Sequence, residues 1–134
     1  EKYLALKASA GSGKTFALTV RYISLLLFNV PPQEILTLTF TNKAVVQIKQ
    51  KIYNAILTLG NDKYILEAIS KNTDLTIKEI LSKKNYIKQQ FLTSNLSIFT
   101  IDKFINKILR EFNEYVNFSD DFCIENNDNE LLIY

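Results

Sequence analysis

Histidine, methionine and tryptophan are absent from this chain of 134 residues, and cysteine occurs once, at Cys123. One thiol and no imidazole exclude most zinc, haem and iron–sulfur schemes and any histidine-based catalytic triad, and they leave no intrachain disulfide to form. A reducing, cytoplasmic compartment fits that composition. No signal peptide precedes the first patterned stretch and no apolar run reaches bilayer-spanning length, so no membrane partner is expected. The most apolar segment, residues 23–30, is short and interrupted by Ser24 and Asn29. A hydrophobic share of 47% over this length suits one domain with one core.

Net charge is small, but the charged residues are unevenly placed. The net value of +2 says nothing about partners by itself. Residues 1–40 hold four basic and two acidic groups, residues 41–110 twelve and five, and residues 111–134 none and seven. A basic middle beside an acidic tail fits a nucleic-acid face next to an acidic segment, and lysines on solvated helix faces would account for the same count.

Two of the three glycines fall in the stretch Ala8-Ser9-Ala10-Gly11-Ser12-Gly13-Lys14-Thr15. It follows the short apolar run Tyr3–Leu6 and opens a helical pattern, which is the context of a phosphate-binding loop, here with Ala in the place of the first Gly. The chemistry explains the spacing: backbone N–H groups and a helix N-terminus enclose concentrated negative charge. Gly11 and Gly13 permit close backbone approach and positive φ angles. Lys14 is placed to reach the β and γ phosphates, and Thr15 to offer its hydroxyl to Mg²⁺. The expected cofactors are therefore ATP and Mg²⁺. The competing reading is an ordinary strand-to-helix turn.

The remaining pattern alternates strand and helix. Residues 14–28 carry Phe16, Val20, Ile23 and Leu27 at helical spacing, and Pro31-Pro32 stops that helix. Residues 35–40, ILTLTF, suit a strand buried in a parallel sheet. Strand, helix, strand at this spacing predicts a βαβ unit of a doubly wound sheet. Thr41 or Asn42 can cap a helix striped by Val45, Ile48, Ile52 and Ile56. Asp62 opens a short helix through Ile69, and Thr76-Ile77-Lys78-Glu79 is a capping-box pattern ahead of a helix to about Leu92. The stretch 62–95 reads as a helical insertion decorating the sheet. Residues 97–101 restore a strand, and Asp102 is expected to cap a helix with Phe104, Ile105, Ile108, Leu109 and Phe112 on its buried side.

Three segments, ASAGSGKT at 8–15, Thr39-Phe40-Thr41-Asn42-Lys43-Ala44, and Phe99-Thr100-Ile101-Asp102-Lys103-Phe104, resemble in order and spacing motifs I, Ia and Ic of superfamily 1 (UvrD-like) DNA helicases. The opening ASAGSGKTF and the phrase FTI ahead of an aromatic are most similar to the RecB and AddA branch, motor subunits of bacterial helicase–nucleases. The resemblance implies a P-loop NTPase of α/β class: part of a first RecA-like motor domain over residues 1–112, with the insertion near 62–95 and an acidic linker at 113–134. It also implies that Phe40, Thr41, Asn42, Lys43 and Thr100 touch single-stranded DNA. Phe offers a stacking surface, Lys a phosphate partner, and Thr and Asn donors to phosphate oxygens. For Phe40, a core position at a strand end is the alternative.

Departures from the family pattern set further expectations. Asp102 stands where the family has His and Lys103 where it has a small residue. The Asp-Glu strand of motif II, the adenine-binding glutamine motif and the arginine fingers of a second motor domain are not found in this sequence. Phosphoryl transfer needs those parts, so the chain reads as an N-terminal piece of a longer bacterial enzyme acting in double-strand break repair, inactive alone. Its expected partners are the remaining domains of the same polypeptide and a second helicase–nuclease subunit. A small nucleotide or metabolite kinase, or a non-catalytic nucleotide-binding module, would share the loop.

Overall fold

A computed structural model of the protein describes residues 4–7 and 12–117. The elements run β1 (Leu4–Lys7), α1 (Ser12–Leu27), a 3-10 turn at Pro32–Glu34, β2 (Ile35–Thr39), α2 (Asn42–Leu57), α3 (Lys63–Thr73), α4 (Ile77–Thr93), β3 (Ile98–Thr100) and α5 (Ile101–Asn117). The result is a mostly helical α/β structure around a parallel sheet in the order β1-β2-β3. Leu4 pairs with Ile35 and Lys7 with Leu38; Thr37 pairs with Ile98 and Thr39 with Thr100.

Local chemistry sets the helix ends. Asn29, at φ 64°, adopts the left-handed turn that closes α1. There Val30 N–H donates to Leu25 O at 3.1 Å and Asn29 N–H to Leu26 O at 3.0 Å, the paired bonds that satisfy a last turn's carbonyls. Pro32 then enters the 3-10 turn, where a missing N–H costs nothing. Thr41 caps α2 by accepting from Ala44 N–H at 3.1 Å. Asp62 caps α3 by accepting from Tyr64 and Ile65 N–H. The capping box forms as expected at Thr76: its hydroxyl accepts from Glu79 N–H, and the Glu79 carboxylate accepts from Thr76 N–H, each at 3.2 Å.

The two faces of the sheet are covered differently. Ile35, Thr37 and Thr39 alternate with Leu36 and Leu38 along β2, so the two sets point to opposite sides. Ile35 and Ile98 join one continuous core with residues of α1, α2, α3 and α4. On α5 the apolar stripe Phe104, Ile105, Ile108 and Leu109 is half-buried while Phe112, expected on the same buried side, is exposed; this helix packs chiefly on β3 and β2, with the Phe99 and Phe104 rings stacked at 6.3 Å.

The structure corrects several expectations. The helices of residues 62–95 do not decorate the sheet: α3 and α4 pack on α1 and α2, and Ile65, Leu66, Ile69, Ile80, Ile87 and Phe91 belong to the main core. Helix α3 also continues beyond Ile69 to Thr73. Helix α5 begins at Ile101, and its cap is Thr100, whose hydroxyl accepts from Lys103 N–H at 3.1 Å; Asp102 is already helical. The last residue of β3 has the extended backbone an N-cap requires, so strand passes to helix with no loop between. Helix α5 runs through Asn117, so the boundary expected between residues 112 and 113 falls within it. Residues 118–134 lie outside the described residues.

Candidate functional site

Because the three strands are parallel and in register, their carboxyl ends share one edge of the sheet. Lys7 ends β1 beside Leu38, and the Thr39–Thr100 pair ends the other two strands. Each helix that follows a strand therefore starts at this edge. In an open parallel sheet that is where ligands bind, because helix N-termini and loop amides converge there.

The first of these starts belongs to α1, which opens at Ser12, two residues before the expected Lys14. Of the expected phosphate loop, Ala8, Ser9, Ala10 and Gly11 lie outside the described residues. Gly13 is the second residue of α1 and its φ is not positive, so positive φ is not what calls for glycine there. A Cβ built at Gly13 would meet no heavy atom of the described residues within 4 Å, so these leave open space beside the helix start. Lys14 is exposed and Thr15 half-buried. Thr15 O accepts from the Thr19 hydroxyl at 2.8 Å, tying the first turn to the second. Helix α1 contains Lys14 and Arg21 and no acid.

The second start lies at the end of β2. Phe40 is 79% exposed, which excludes a core position for its ring. Thr41, Asn42 and Lys43 are exposed beside it. With Thr41's hydroxyl accepting from Ala44 N–H, the corner is fixed by its own helix cap, and it presents one aromatic ring, one ammonium and one amide to solvent.

The third start, at β3, is built differently. Thr100 is 6% exposed and its hydroxyl is occupied as the cap of α5. Lys103, one turn on, is exposed, as is Asp102.

A cleft of about 330 Å³ runs between α1 and α2, with Thr15, Phe16 and Thr19 on one wall and Lys51 and Asn54 on the other. Sequence patterning did not single out these α2 residues. Their signal was their phase: they fall outside the Ile48–Ile52–Ile56 stripe.

The fold is that of a parallel α/β domain whose helix starts carry the exposed lysines Lys14, Lys43 and Lys103 on one sheet edge, the edge at which open α/β sheets as a class receive their ligands. More particularly, the chain belongs to the UvrD/REP helicase N-terminal domain family, whose defining pattern matches residues 1–133. It is 29% identical over 130 residues to an ATP-dependent helicase/nuclease subunit of Streptococcus pneumoniae, covering 97% of this chain and 10% of that protein. It is 39% identical over 127 residues to the RecBCD enzyme subunit RecB of Buchnera aphidicola, covering 80% of this chain and 10% of that one. The corresponding ATP-dependent helicase/nuclease subunit of Streptococcus agalactiae is 30% identical over 126 residues, covering 93% of this chain and 9% of that protein. The chain thus spans about a tenth of the length of the curated relatives it matches. No solved structure matches it. Among the described residues no helix is long and apolar enough to cross a membrane.

Proposed function

We propose that this chain is part of the first RecA-like motor domain of a RecB- or AddA-type DNA helicase, and that its strand edge holds ATP–Mg²⁺ and single-stranded DNA side by side. The observation that carries this reading is the pairing of an open, cationic start of α1 with an exposed aromatic–lysine corner at the end of the neighbouring strand. Similarity to proteins named as ATP-dependent helicase/nuclease subunits supports it over a small kinase.

The residues at the start of α1 fit a polyphosphate on physical grounds. The space beside Gly13 lets an anion reach the backbone, Lys14 is free of any acid in its own helix, and the helix dipole favours negative charge there. Lys14 would pair with the terminal phosphates and Thr15 would take the metal-side position. When bound, ATP–Mg²⁺ supplies the phosphoryl group whose transfer to water releases free energy. This chain's residues bind and orient it.

At the corner, the Phe40 ring would stack on a base, while Lys43 pairs with a phosphate and Thr41 and Asn42 approach the backbone. Thr100 serves this surface by fixing the start of α5, so its contribution is to position Lys103. The remaining domains of the polypeptide, and a second helicase–nuclease subunit, complete the catalytic constellation in this reading, and cytoplasmic DNA is the substrate.

The test is ATP hydrolysis by the full-length protein with and without single-stranded DNA. Wild-type protein is expected to be stimulated by DNA, Lys14→Ala to lose hydrolysis at every DNA concentration, and Phe40→Ala to need more DNA for the same stimulation. Undiminished turnover by Lys14→Ala would overturn the assignment of the nucleotide site.

A further inference from the structure

Beyond the corner itself, α2 carries a feature that neither its cap nor its core stripe explains. Its sequence, NKAVVQIKQKIYNAIL, contains three lysines and no acid, whereas α3, α4 and α5 each carry acids. From Leu4 to Asn61 the chain has six cations and a single acid, Glu34. Lys43, Gln47, Gln50 and Asn54 are all exposed. They follow one another at helical spacing, so they form a nearly straight file about 16 Å long at 1.5 Å per residue. Lys51 flanks that file and reaches the wall of the cleft beside Thr15 and Phe16. Among the described residues, neither Lys43 nor Lys51 enters an ion pair, and the side-chain amides of Gln47, Gln50 and Asn54 have no hydrogen-bond partner.

We propose that this outward face of α2 is a track for the phosphate backbone of single-stranded DNA, continuing from Phe40–Lys43 along Gln47, Gln50, Lys51 and Asn54. The inference rests on the reading of the corner as a DNA contact and extends it. Charge complementarity selects the occupant, since a face of ammonium and amide donors without one carboxylate matches an evenly spaced polyanion. Continuity selects the direction: the file starts where Lys43 leaves the corner and runs with the helix toward the α1 cleft. A strand seated on it would touch the same helix that walls the nucleotide side.

The experiment measures binding of single-stranded oligonucleotides of about four and about sixteen nucleotides, lengths that bracket common single-strand site sizes, to the full-length protein over a range of salt. Lys51→Gln should flatten the salt dependence for the longer strand by about 0.7 in the slope of log K against log salt, and leave the shorter strand unchanged. Gln47→Glu with Gln50→Glu should weaken the longer strand about tenfold or more, because like charges then face across the interface. Gln50→Lys should tighten it and steepen the slope, a gain that a folding defect cannot imitate. Track variants that leave the longer strand unaffected, while Phe40→Ala weakens both lengths, would overturn the track and spare the corner. Equal weakening of both lengths by the track variants would also overturn it. Phe40→Ala without effect on either length would strike the corner reading itself.

Discussion

Replacing Gly13 with alanine separates the needs of the fold from those of a bound polyphosphate. In the structure Gly13 is helical and a Cβ there meets nothing within 4 Å among the described residues, so the substitution introduces no clash with them. Alanine is the better helix former, and the chain should gain about 0.5 kcal/mol near a helix end. The same methyl would occupy the open space that a phosphate needs to reach the backbone. Forcing a methyl group into a packed contact costs about 1–3 kcal/mol, and at 1.4 kcal/mol per decade nucleotide affinity should fall about 5- to 150-fold. Thermal unfolding of the chain and nucleotide titration of the full-length protein read the two effects separately. Gly13→Ala protein that unfolds at or slightly above the wild-type temperature and binds nucleotide poorly is the expected outcome. Wild-type nucleotide affinity would refute the claim that the backbone at this helix start lies against the ligand, and a large loss of stability would refute the placement of Gly13 in open space.

Other perturbations test separate parts of the structure. Phe40→Ala should leave stability within about 0.5 kcal/mol, since the ring is solvent-exposed, yet cost about 1–3 kcal/mol of single-strand affinity if a base stacks on it, as fluorescence anisotropy would measure. Thr76→Ala removes the capping box of α4 and should lower stability by about 1 kcal/mol in denaturant unfolding. The hydroxyl of Tyr22 is fully buried without a hydrogen-bond partner among the described residues, while its ring packs edge-on against Phe91 at 5.9 Å. Tyr22→Phe should therefore stabilise the chain by about 1 kcal/mol. Burial also pushes the Tyr22 phenol's pKa upward. The folded state then holds its proton more tightly than the unfolded state, so stability is intact below about pH 10 and falls above it, by at most about 1.4 kcal/mol per pH unit. Tyr22→Phe should lack that alkaline slope in unfolding measured across pH.

What could be read in the sequence was chemistry that acts within a few residues. The caps at Asp62 and Thr76, and that of α2 as far as the pair Thr41–Asn42, were legible because a short polar side chain satisfies N–H groups of its own first turn, and no distant partner enters. The strand read at residues 35–40 was legible from its length and β-branched content, although it ends one residue earlier, at Thr39. The packing of α3 and α4 was not legible: an apolar stripe records that a face is buried and carries no record of what buries it, so Ile69 and Phe91 could equally have faced the sheet. At the junction Thr100–Asp102 the cap expected at Asp102 falls instead on Thr100, because β3 ends in extended backbone there and passes straight into helix. Phe40 illustrates the same limit at the site. An aromatic at a strand end reads as core or as contact surface, and its exposure is decided by where β2 stops. The amide–lysine file of α2 went unread because Gln and Asn carry no motif, and their alignment matters only once the opposite face is known to be buried.

In this reading DNA meets the domain at the carboxyl edge of the parallel strands, at the Phe40–Lys43 corner from which α2 departs. Photo-crosslinking of a single-stranded oligonucleotide carrying photoreactive thymidine to the full-length protein, followed by peptide mapping, tests it most directly. Crosslinks within this domain are expected in the peptide containing Phe40–Lys43. Crosslinks confined to the outer surfaces of α3 and α4, with that peptide unmodified, would contradict it.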